Sequence, residues 1–498
     1  MYNTGVDRRS NPHQQVVSLI FAVDDALRLG VDGGLPWTLG ALPEDLCRFK
    51  NLTLHHTVVM GRRTYASLPE KSRPLPDRRN VVITRDPSAH SEEANRYGSD
   101  RLVFITEDEA DGFLSGSGDY FVIGGARVFS RFIHKASRAY VTQVHMRRNN
   151  NTTNTAVHTT YFPVESKFGE SFRLVESACS PLMVSNDPSV VSYRFIQYDR
   201  EDTPRHEERT EYMALLERLL SSESRPDRTG VGTLSAFGQH IRFNLTGNIV
   251  PVMTTKRMAW KTIVKELLWF LRGRPDVTAL EEDGVRVWSA NSSRSFLDSR
   301  GLQRYREGDV GPMYPFVFRH FGARYEGCDA NYEGKGLDQL ERLVRGIRED
   351  PYSRRHLLTT FDPSSIDACA LPPCHGIAIQ FYVHGGDTRG LSCHVYCRSS
   401  DVFLGLPFNI TSYAVFMHII AKRCDLQPCE LVMSLGDVHL YKTHVAQTRE
   451  QLTRPPLPFP ALRVADKVKN APWERIEADD FEMVGYMHHP TIRADMAV

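Results

Sequence analysis

The sequence has no long apolar run and no excess of either charge, and each absence narrows the class of protein. No stretch of about 18 uninterrupted apolar residues occurs, so a membrane-spanning helix is not expected. The first 15 residues are polar and lack the apolar core of a signal peptide. The net charge is +1, so a site for anions must be local, and nucleic acid is not an expected partner.

Cysteine usage excludes two kinds of small domain. The nine cysteines are scattered, and none belongs to a Cys-x-x-Cys pair. We therefore expect neither a disulfide framework nor a zinc site, and we predict no metal site of another kind. A reducing, cytoplasmic setting fits this pattern best.

The chain is long enough for two or three hydrophobic cores. Over residues 16–200, short β-rich runs alternate with helix-like segments, which predicts a mostly parallel, twisted sheet flanked by helices. A charged stretch without a core pattern follows, and the remainder mixes amphipathic helices with strand pairs. We predict an α/β domain over residues 14–200, a short linker over 201–208 and an α+β domain over 209–498.

Three strand ends in the first domain carry groups that suit a phosphate. "VIGGA" passes from a strand through two glycines into a helix, and "MGRRTY" places two arginines at a similar junction. A tight turn or a solvated surface would explain each feature singly, but together they favour a nucleotide site. The residues concerned are Arg62, Arg63, Thr84, Arg85, Gly124 and Gly125.

Asp45 opens the predicted helix "PEDLCRFKNLT" and is followed by apolar residues on one face. A carboxylate against an apolar wall has a raised pKa and can manage a proton near neutrality. The simpler alternative is an acid that only complements the helix dipole.

This domain resembles dihydrofolate reductase through "GGLPW", "PEDLCRFK", "VVMGRRTYASLP", "RPLPDRRNVVITR", "VIGGARVF" and "YVTQV". The resemblance implies that Asp45 binds the pterin and assists its protonation, and that Arg78 takes the glutamate carboxylate of folate. It implies a pterin pocket lined by Ala22, Phe49 and Thr142. It also implies an NADPH site formed by Leu29, Gly30, Arg62, Arg63, Thr64, Thr84, Arg85, Gly124, Gly125, Ala126, Arg127 and Val128. Ala126 and Asp77 stand where glycines are usual.

The central question in the second domain is Cys374, which lies in "ALPPCHG" between two prolines and a histidine. A buried cysteine is often only a small apolar side chain. Several arginines are available to lower the pKa of the thiol and make it a nucleophile. They are Arg228, Arg354, Arg355 and Arg398.

The set resembles thymidylate synthase through "DRTGVGTLSAFG", "TTKRMAWKTIVKELLWFLRG", "ALPPCHG", "DVFLGLPFNITSYA" and "LGDVHLY". The resemblance implies that Cys374 attacks C6 of the uracil of dUMP. Carbon C5 then takes a one-carbon unit and a hydride from 5,10-methylenetetrahydrofolate, giving dTMP and dihydrofolate.

The same resemblance implies roles for the remaining site residues. The nucleotide phosphate would be bound by Arg228, Arg354, Arg355, Arg398 and Ser399. Tyr314 and His375 would lie beside the thiol, Glu266 would organise proton transfer, and Asn409 would read the pyrimidine amide edge. The sugar hydroxyl would contact His439 and Tyr441, and the folate would contact Trp288, Asp401 and Leu404. The terminal "DMAV" would close over bound folate. Departures from the usual pattern occur at Ser289, Pro315, Phe318 and Cys397.

One domain makes the dihydrofolate that the other consumes, so the chain resembles the bifunctional enzymes of protists and plants, with a short junction like that of the trypanosomatid type. We expect a homodimer joined through the synthase domain, in which Arg354 and Arg355 reach the partner's site. Two alternatives remain: an active reductase carried by a degenerate synthase scaffold, and a synthase-like module that binds RNA.

Overall fold

The computed structural model describes residues 16–113, 120–147, 158–163, 168–175, 178–185, 187–200, 207–227, 229–385 and 389–495. The chain divides into two compact units, Met1–Pro204 and Arg205–Val498. Residues 201–206, most of the predicted linker, lie outside the described residues, as do Arg228 and the last three residues of the "DMAV" tail. The exact domain limits therefore stay a prediction.

The described residues of the first unit form ten strands. They are β1 (Val17–Asp24), β2 (Arg28–Val31), β3 (Thr57–Gly61), β4 (Arg79–Ile83), β5 (Leu102–Ile105), β6 (Tyr120–Gly124), β7 (Arg138–Met146), β8 (Thr159–Tyr161), β9 (Phe172–Leu174) and β10 (Val190–Arg200). Its helices are α1 (Pro43–Thr53), α2 (Arg62–Ser67), α3 (Ser91–Tyr97), α4 (Glu109–Phe113), α5 (Ala126–Phe132) and α6 (Phe168–Ser171). Helix α1 begins with a proline and has acids in its first turn, both favourable at a helix start.

Eight of these strands form one sheet in the order β5-β4-β3-β6-β1-β7-β10-β9. Six neighbouring strands, from β5 to β7, run parallel, and β10 pairs antiparallel with β7 and β9. The predicted α/β class with a mostly parallel sheet is confirmed. Strand β10 is not the edge of this sheet, because the short β9 pairs along its outer side.

The second unit is built from helices packed on an antiparallel-rich sheet. Its strands are β11 (Ser224–Arg225), β12 (Thr233–Asn244), β13 (Leu357–Leu358), β14 (Ala378–Val383), β15 (Gly390–Asp401), β16 (Gln427–Tyr441), β17 (Ala461–Val464) and β18 (Phe481–Val484). Its α-helices are α7 (Ala214–Leu220), α8 (Trp260–Arg272), α9 (Val277–Glu282), α10 (Ser289–Ser292), α11 (Arg294–Ser299), α12 (Tyr314–His320), α13 (Gln339–Glu349), α14 (Gly405–Cys424) and α15 (Val445–Leu452).

The main sheet of this unit has the order β11-β12-β16-β15-β14-β13, and only the β15–β16 pair is parallel. Helix α14 is buried almost all round because its sequence is apolar on every face. Helix α13 buries one stripe, which includes Leu340, Leu343 and Ile347. The predicted α+β class is confirmed. Among the described helices of both units, none is long and apolar enough to cross a membrane.

Candidate active sites

The predicted dinucleotide residues of the first unit meet at one edge of its sheet. Strands β4, β3 and β6 are parallel neighbours, so their carboxyl ends lie at the same edge. Arg62, Arg63 and Thr64 open α2 directly after β3, and Thr84 and Arg85 follow β4. Gly124 ends β6, Gly125 precedes α5, and Ala126, Arg127 and Val128 form the first turn of α5.

Two glycines bring the turn after β6 against the start of α2. Gly124 has φ +141°, a conformation that favours glycine, and a Cβ there would lie 3.4 Å from the side chain of Thr64. A Cβ on Gly125 would lie 3.3 Å from Thr64 Oγ1. The missing side chains therefore let the backbone of this turn approach Thr64 closely at the sheet edge.

The arginines at this edge differ in whether they already have an ion-pair partner. Arg62, Arg63 and Arg85 are exposed, and no ion pair joins them to another described residue. Arg127 instead pairs with Glu107 over 2.9 Å. Thr84 and Val128 are buried and support the backbone. Leu29 and Gly30 lie in β2, which follows the carboxyl end of β1 and pairs with β8. The three exposed arginines and the glycine turn at the same sheet edge fit a dinucleotide phosphate.

Asp45 lies in the first turn of α1 and contacts β7. The hydroxyl of Thr142 donates to Asp45 Oδ1 over 2.5 Å. Burial raises the pKa of Asp45, while the Thr142 hydrogen bond and the charge of Arg48 act in the opposite direction. The predicted raised pKa is confirmed in direction, so this carboxyl is suited to exchange a proton nearer neutrality than an exposed one.

The other predicted pterin and folate residues surround Asp45 on α1 and the sheet. Ala22 is the direct β1 neighbour of Thr142, and Phe49 lies one turn after Asp45. Arg78 is buried, donating to the carbonyl of Pro76 over 2.8 Å and to Thr53 Oγ1 over 3.0 Å. Burial lowers the pKa of Arg78. Its guanidinium is thus held in a fixed direction.

In the second unit, Cys374 lies on a loop paired with the end of β15. The backbone N–H of Arg398 donates to the Cys374 carbonyl over 2.9 Å. The Arg398 guanidinium donates to the carbonyls of Pro373 over 2.8 Å and Pro372 over 3.0 Å. One arginine therefore clamps the proline-cysteine loop and stays beside the thiol.

The environment of the thiol is less cationic than the sequence suggested. Burial raises the pKa of Cys374, and the hydrogen bond from Tyr314 and the charge of Arg398 only partly oppose it. The expectation of a lowered thiol pKa is wrong for this single chain. Arg354 and Arg355 are exposed and make no contact with Cys374, and Arg355 lines a groove with Arg342 and Asp350 instead.

Tyr314 and His375 form the wall behind Cys374. The Tyr314 hydroxyl oxygen accepts the Cys374 backbone N–H over 2.8 Å and lies 3.7 Å from Sγ. The His375 ring stacks on Tyr314 at 4.5 Å, and His375 Nδ1 lies 2.7 Å from the Tyr413 hydroxyl. Burial lowers the pKa of His375 to about 4, so this ring is neutral at physiological pH.

Glu266 is the second titratable group of this site. It projects from α8, where it accepts the indole N–H of Trp288 over 2.7 Å. Burial raises the pKa of Glu266 to about 7, and the Trp288 hydrogen bond limits the rise. A carboxyl with this pKa can both donate and accept a proton near neutrality.

The ends of β15 and β16 and the start of α14 supply further predicted residues. Asp401 Oδ1 accepts the N–H groups of Phe403 over 3.0 Å and Leu404 over 3.3 Å, which fixes the turn into α14. Asp401 is paired with His439 across the sheet, and Tyr441 follows on β16. Ser399 precedes Asp401 on β15, and Asn409 lies in the first turns of α14. Of this set, Ser399 contacts the Cys374 loop directly, since its backbone N–H donates to the Cys374 carbonyl over 3.4 Å.

The departures from the usual pattern are accommodated within the fold. Phe318 is buried, and its ring centre lies 6.0 Å from that of Phe416, while Pro315 is the second residue of α12. The Ser289 hydroxyl donates to Glu281. Cys397 is fully buried; it accepts the backbone N–H of Gly376, and burial raises the pKa of its thiol to about 12.

Sequence reasoning missed three buried or half-buried charges. Arg48 lies one turn after Asp45, and its helical spacing was the available signal. Lys256 donates to the Phe403 carbonyl, and burial lowers its pKa to about 7. Glu208 accepts from the backbone and hydroxyls of Thr254 and Thr255, with distances from 2.5 to 3.0 Å. Local sequence carries no sign of the last two contacts.

Comparison with known proteins matches both units. The dihydrofolate reductase family profile matches residues 16–179, and the thymidylate synthase profile matches residues 210–498. A bifunctional dihydrofolate reductase-thymidylate synthase 2 of Arabidopsis thaliana is 38% identical over all of this chain and 91% of its own length. A bifunctional dihydrofolate reductase-thymidylate synthase of Leishmania major is 36% identical over 98% of this chain and 96% of its own. A Paramecium tetraurelia relative with the same description is 36% identical over 97% and 98%. These identities do not separate the plant type from the trypanosomatid type.

Proposed function

The chain belongs to the family of bifunctional dihydrofolate reductase–thymidylate synthases and has both activities, and we propose that Asp45 and Cys374 are the residues on which the two reactions depend. The second unit converts dUMP to dTMP with 5,10-methylenetetrahydrofolate and releases dihydrofolate. The first unit reduces dihydrofolate to tetrahydrofolate. The observation that carries the assignment is the presence of a proton-managing carboxyl in one unit and a clamped, half-buried thiol in the other.

In the reductase, bound NADPH supplies the hydride. Arg62, Arg63 and Arg85 would hold its phosphates at the sheet edge, and the turn at Gly124 and Gly125 would offer them backbone N–H groups. Asp45 would hold the pterin ring through its carboxylate and would pass it the proton that accompanies the hydride. Arg78, fixed by Thr53 and Pro76, would bind the folate carboxylate.

In the synthase, Cys374 Sγ would form a bond to C6 of the uracil of dUMP, which makes C5 a carbon nucleophile. Because burial disfavours the free thiolate, we expect the Cys374 thiol to lose its proton only when the uracil ring of dUMP is bound beside it. The positive charge of Arg398 favours loss of the thiol proton. Glu266, with a pKa of about 7, would exchange protons with the uracil ring. No observation favours the degenerate-synthase alternative.

A homodimer through the second unit forms part of the proposal. The main sheet of this unit exposes large apolar side chains on four strands: Phe237 on β12, Leu357 on β13, Tyr382 on β14 and Tyr396 on β15 are 80%, 54%, 63% and 40% exposed. An apolar sheet face of this kind is typical of an association surface. A second copy on this face would also explain why Arg354 and Arg355 are exposed without contacting their own Cys374.

We propose a cytoplasmic location for the enzyme. All nine cysteines lie within the described residues, and all are free thiols, as expected in a reducing compartment. We do not propose RNA as a partner of this chain.

Two matched variants test the assignment of roles. We expect Asp45→Asn to abolish dihydrofolate reduction at neutral pH and to spare the release of tritium from [5-³H]dUMP, because an amide cannot supply the proton. We expect Cys374→Ala to do the reverse. Each variant is the control for the other, since both retain the full chain. Loss of both activities in one variant would indicate a folding defect, and unchanged kinetics would contradict the role of that residue.

A further inference from the structure

Arg48 lies on the same face of α1 as Asp45, three residues further along. Helical spacing of three residues places two side chains beside each other. Both are half-buried against the sheet, and Arg48 makes no hydrogen bond or ion pair to another described residue. The position of this guanidinium is therefore set by packing.

Two aromatic rings hold the Arg48 guanidinium. Its central carbon lies 4.5 Å from the ring centre of Phe195 and 5.5 Å from that of Tyr140. Phe195 is directly opposite Thr142 in the β10–β7 pair, and Tyr140 precedes Thr142 by two residues on the same face of β7. Thr142 is the donor to Asp45. Arg48 and Asp45 thus contact neighbouring residues on the same part of the β7–β10 pair.

The charged and titratable groups around Asp45 come from several elements. Helix α1 contributes Glu44 and Arg48, β7 contributes Tyr140, β10 contributes Tyr193, and Cys179 faces Arg48. The Tyr193 hydroxyl donates to Glu44, which ties that carboxylate to another partner. Arg48 is the positively charged group of this set, and it faces Asp45 without competing hydrogen bonds among the described residues.

We propose that Arg48 is a positioning residue that holds a fixed positive charge beside Asp45 and sets the pH above which the reductase loses activity. This inference rests on the proposed role of Asp45. A nearby cation stabilises the carboxylate, so it moves deprotonation of Asp45 to lower pH. Because the protonated state serves proton transfer, the rate of hydride transfer falls as pH rises through the pKa of Asp45. Removing the charge must move that fall to higher pH.

The experiment measures single-turnover hydride transfer from NADPH to dihydrofolate against pH, with the full-length protein at saturating substrates. The rate falls at high pH, and we expect Arg48→Met to move this falling limb of the pH–rate profile to higher pH by about one unit. Methionine keeps the packing on the two rings and loses the charge. Arg48→Lys keeps the charge and is the matched control. We expect its falling limb to move by less than about a third of the shift seen in Arg48→Met. Arg48→Gln is a second neutral variant if Arg48→Met folds poorly.

The outcomes separate this inference from the assignment of Asp45. An unshifted limb in both neutral variants would overturn the role of Arg48, and an equal shift in Arg48→Lys would show that shape rather than charge matters. If Asp45→Asn retains the wild-type limb, the role of Asp45 itself is wrong. If Asp45→Asn removes the limb while the neutral variants leave it in place, only the inference about Arg48 fails. Synthase tritium release serves as the internal folding control throughout.

Discussion

The indole N–H of Trp288 donates to Oε1 of Glu266 over 2.7 Å, while burial raises the pKa of the same carboxyl to about 7. The two effects oppose each other, because the hydrogen bond stabilises the carboxylate and burial destabilises it. Glu266 is consequently divided between both protonation states at neutral pH, which suits a group that passes protons to and from a pyrimidine.

Trp288→Phe should raise the pKa of Glu266 further, since the donor is lost and burial remains. We expect the limb of the synthase pH–kcat profile that reports Glu266 to move upward by about half to one unit. The sign does not depend on which protonation state is productive. Trp269→Phe is the matched control, because its indole N–H donates to the backbone carbonyl of Asp276 instead. A limb that stays in place in Trp288→Phe, or moves equally in Trp269→Phe, would contradict this account.

Asp77 has φ +57°, in the left-handed region, and precedes the buried Arg78. Its negative charge competes with a folate carboxylate for that guanidinium. We predict that Asp77→Asn, which tolerates the same backbone conformation, lowers the KM for dihydrofolate about two- to fivefold, as expected for about 0.5–1 kcal/mol of exposed charge interaction. Asp77→Gly should lower the KM equally and also change stability by less than about 1 kcal/mol. A lower KM in the glycine variant alone would assign the effect to backbone conformation.

Cys397 stands where the resemblance implies a glutamine, which suggested a lost hydrogen-bond partner. The structure instead shows a fully buried thiol that accepts the Gly376 N–H. We therefore expect Cys397→Gln to destabilise the protein by about 1–3 kcal/mol, because the larger side chain overpacks the core. Synthase kcat should not rise. Thermal unfolding and tritium release measure the two effects, and Cys393→Gln, at another buried position of the same strand, is the control. A faster Cys397→Gln enzyme would show that the site still accommodates the amide.

The sequence predicted those parts of the fold whose signals are local. The apolar runs at β3, β4 and β6 are rich in β-branched residues, and glycine or arginine lies at or just after the end of each. Because parallel neighbours end at the same edge, these three strand ends predicted the dinucleotide site. The long strands β12 and β16 were not predicted, because His, Asp and Gly interrupt their alternation and their pairing joins residues about 200 positions apart. The contact of Arg48 with Phe195 likewise depends on tertiary packing between α1 and β10, which no window of sequence contains.

The least predictable feature is the position of Arg354 and Arg355. Residues near Cys374 could be gathered from one chain, and the structure does so for Tyr314, His375 and Arg398. The two arginines remain exposed on the segment before β13. The resemblance assigns Arg354 and Arg355 to the nucleotide phosphate together with Arg228 and Arg398, so we expect a second copy to supply the two exposed arginines.

Subunit complementation tests this sharing directly. Cys374→Ala and Arg355→Ala should each be nearly inactive as synthases, the second because loss of a charged hydrogen bond costs about 1.5–3 kcal/mol of nucleotide binding. When the two variants exchange subunits by reversible unfolding, half of the dimers are mixed. If each site takes its arginine from the partner, a mixed dimer contains one doubly altered site and one intact site.

Synthase activity should then recover to about a quarter of the wild-type value, since half of the dimers carry one intact site of two. Reductase activity should stay constant throughout, which controls for losses during refolding. Cys374→Ala mixed with Arg398→Ala is the matched control: Arg398 clamps the Cys374 loop of its own chain. Each site of that mixed dimer carries one alteration, so no activity should return. Recovery in the control would place Arg398 in the partner's site and contradict the clamp described for its own chain. No recovery with Arg355→Ala, despite exchange confirmed with tagged chains, would place Arg355 in the site of its own subunit.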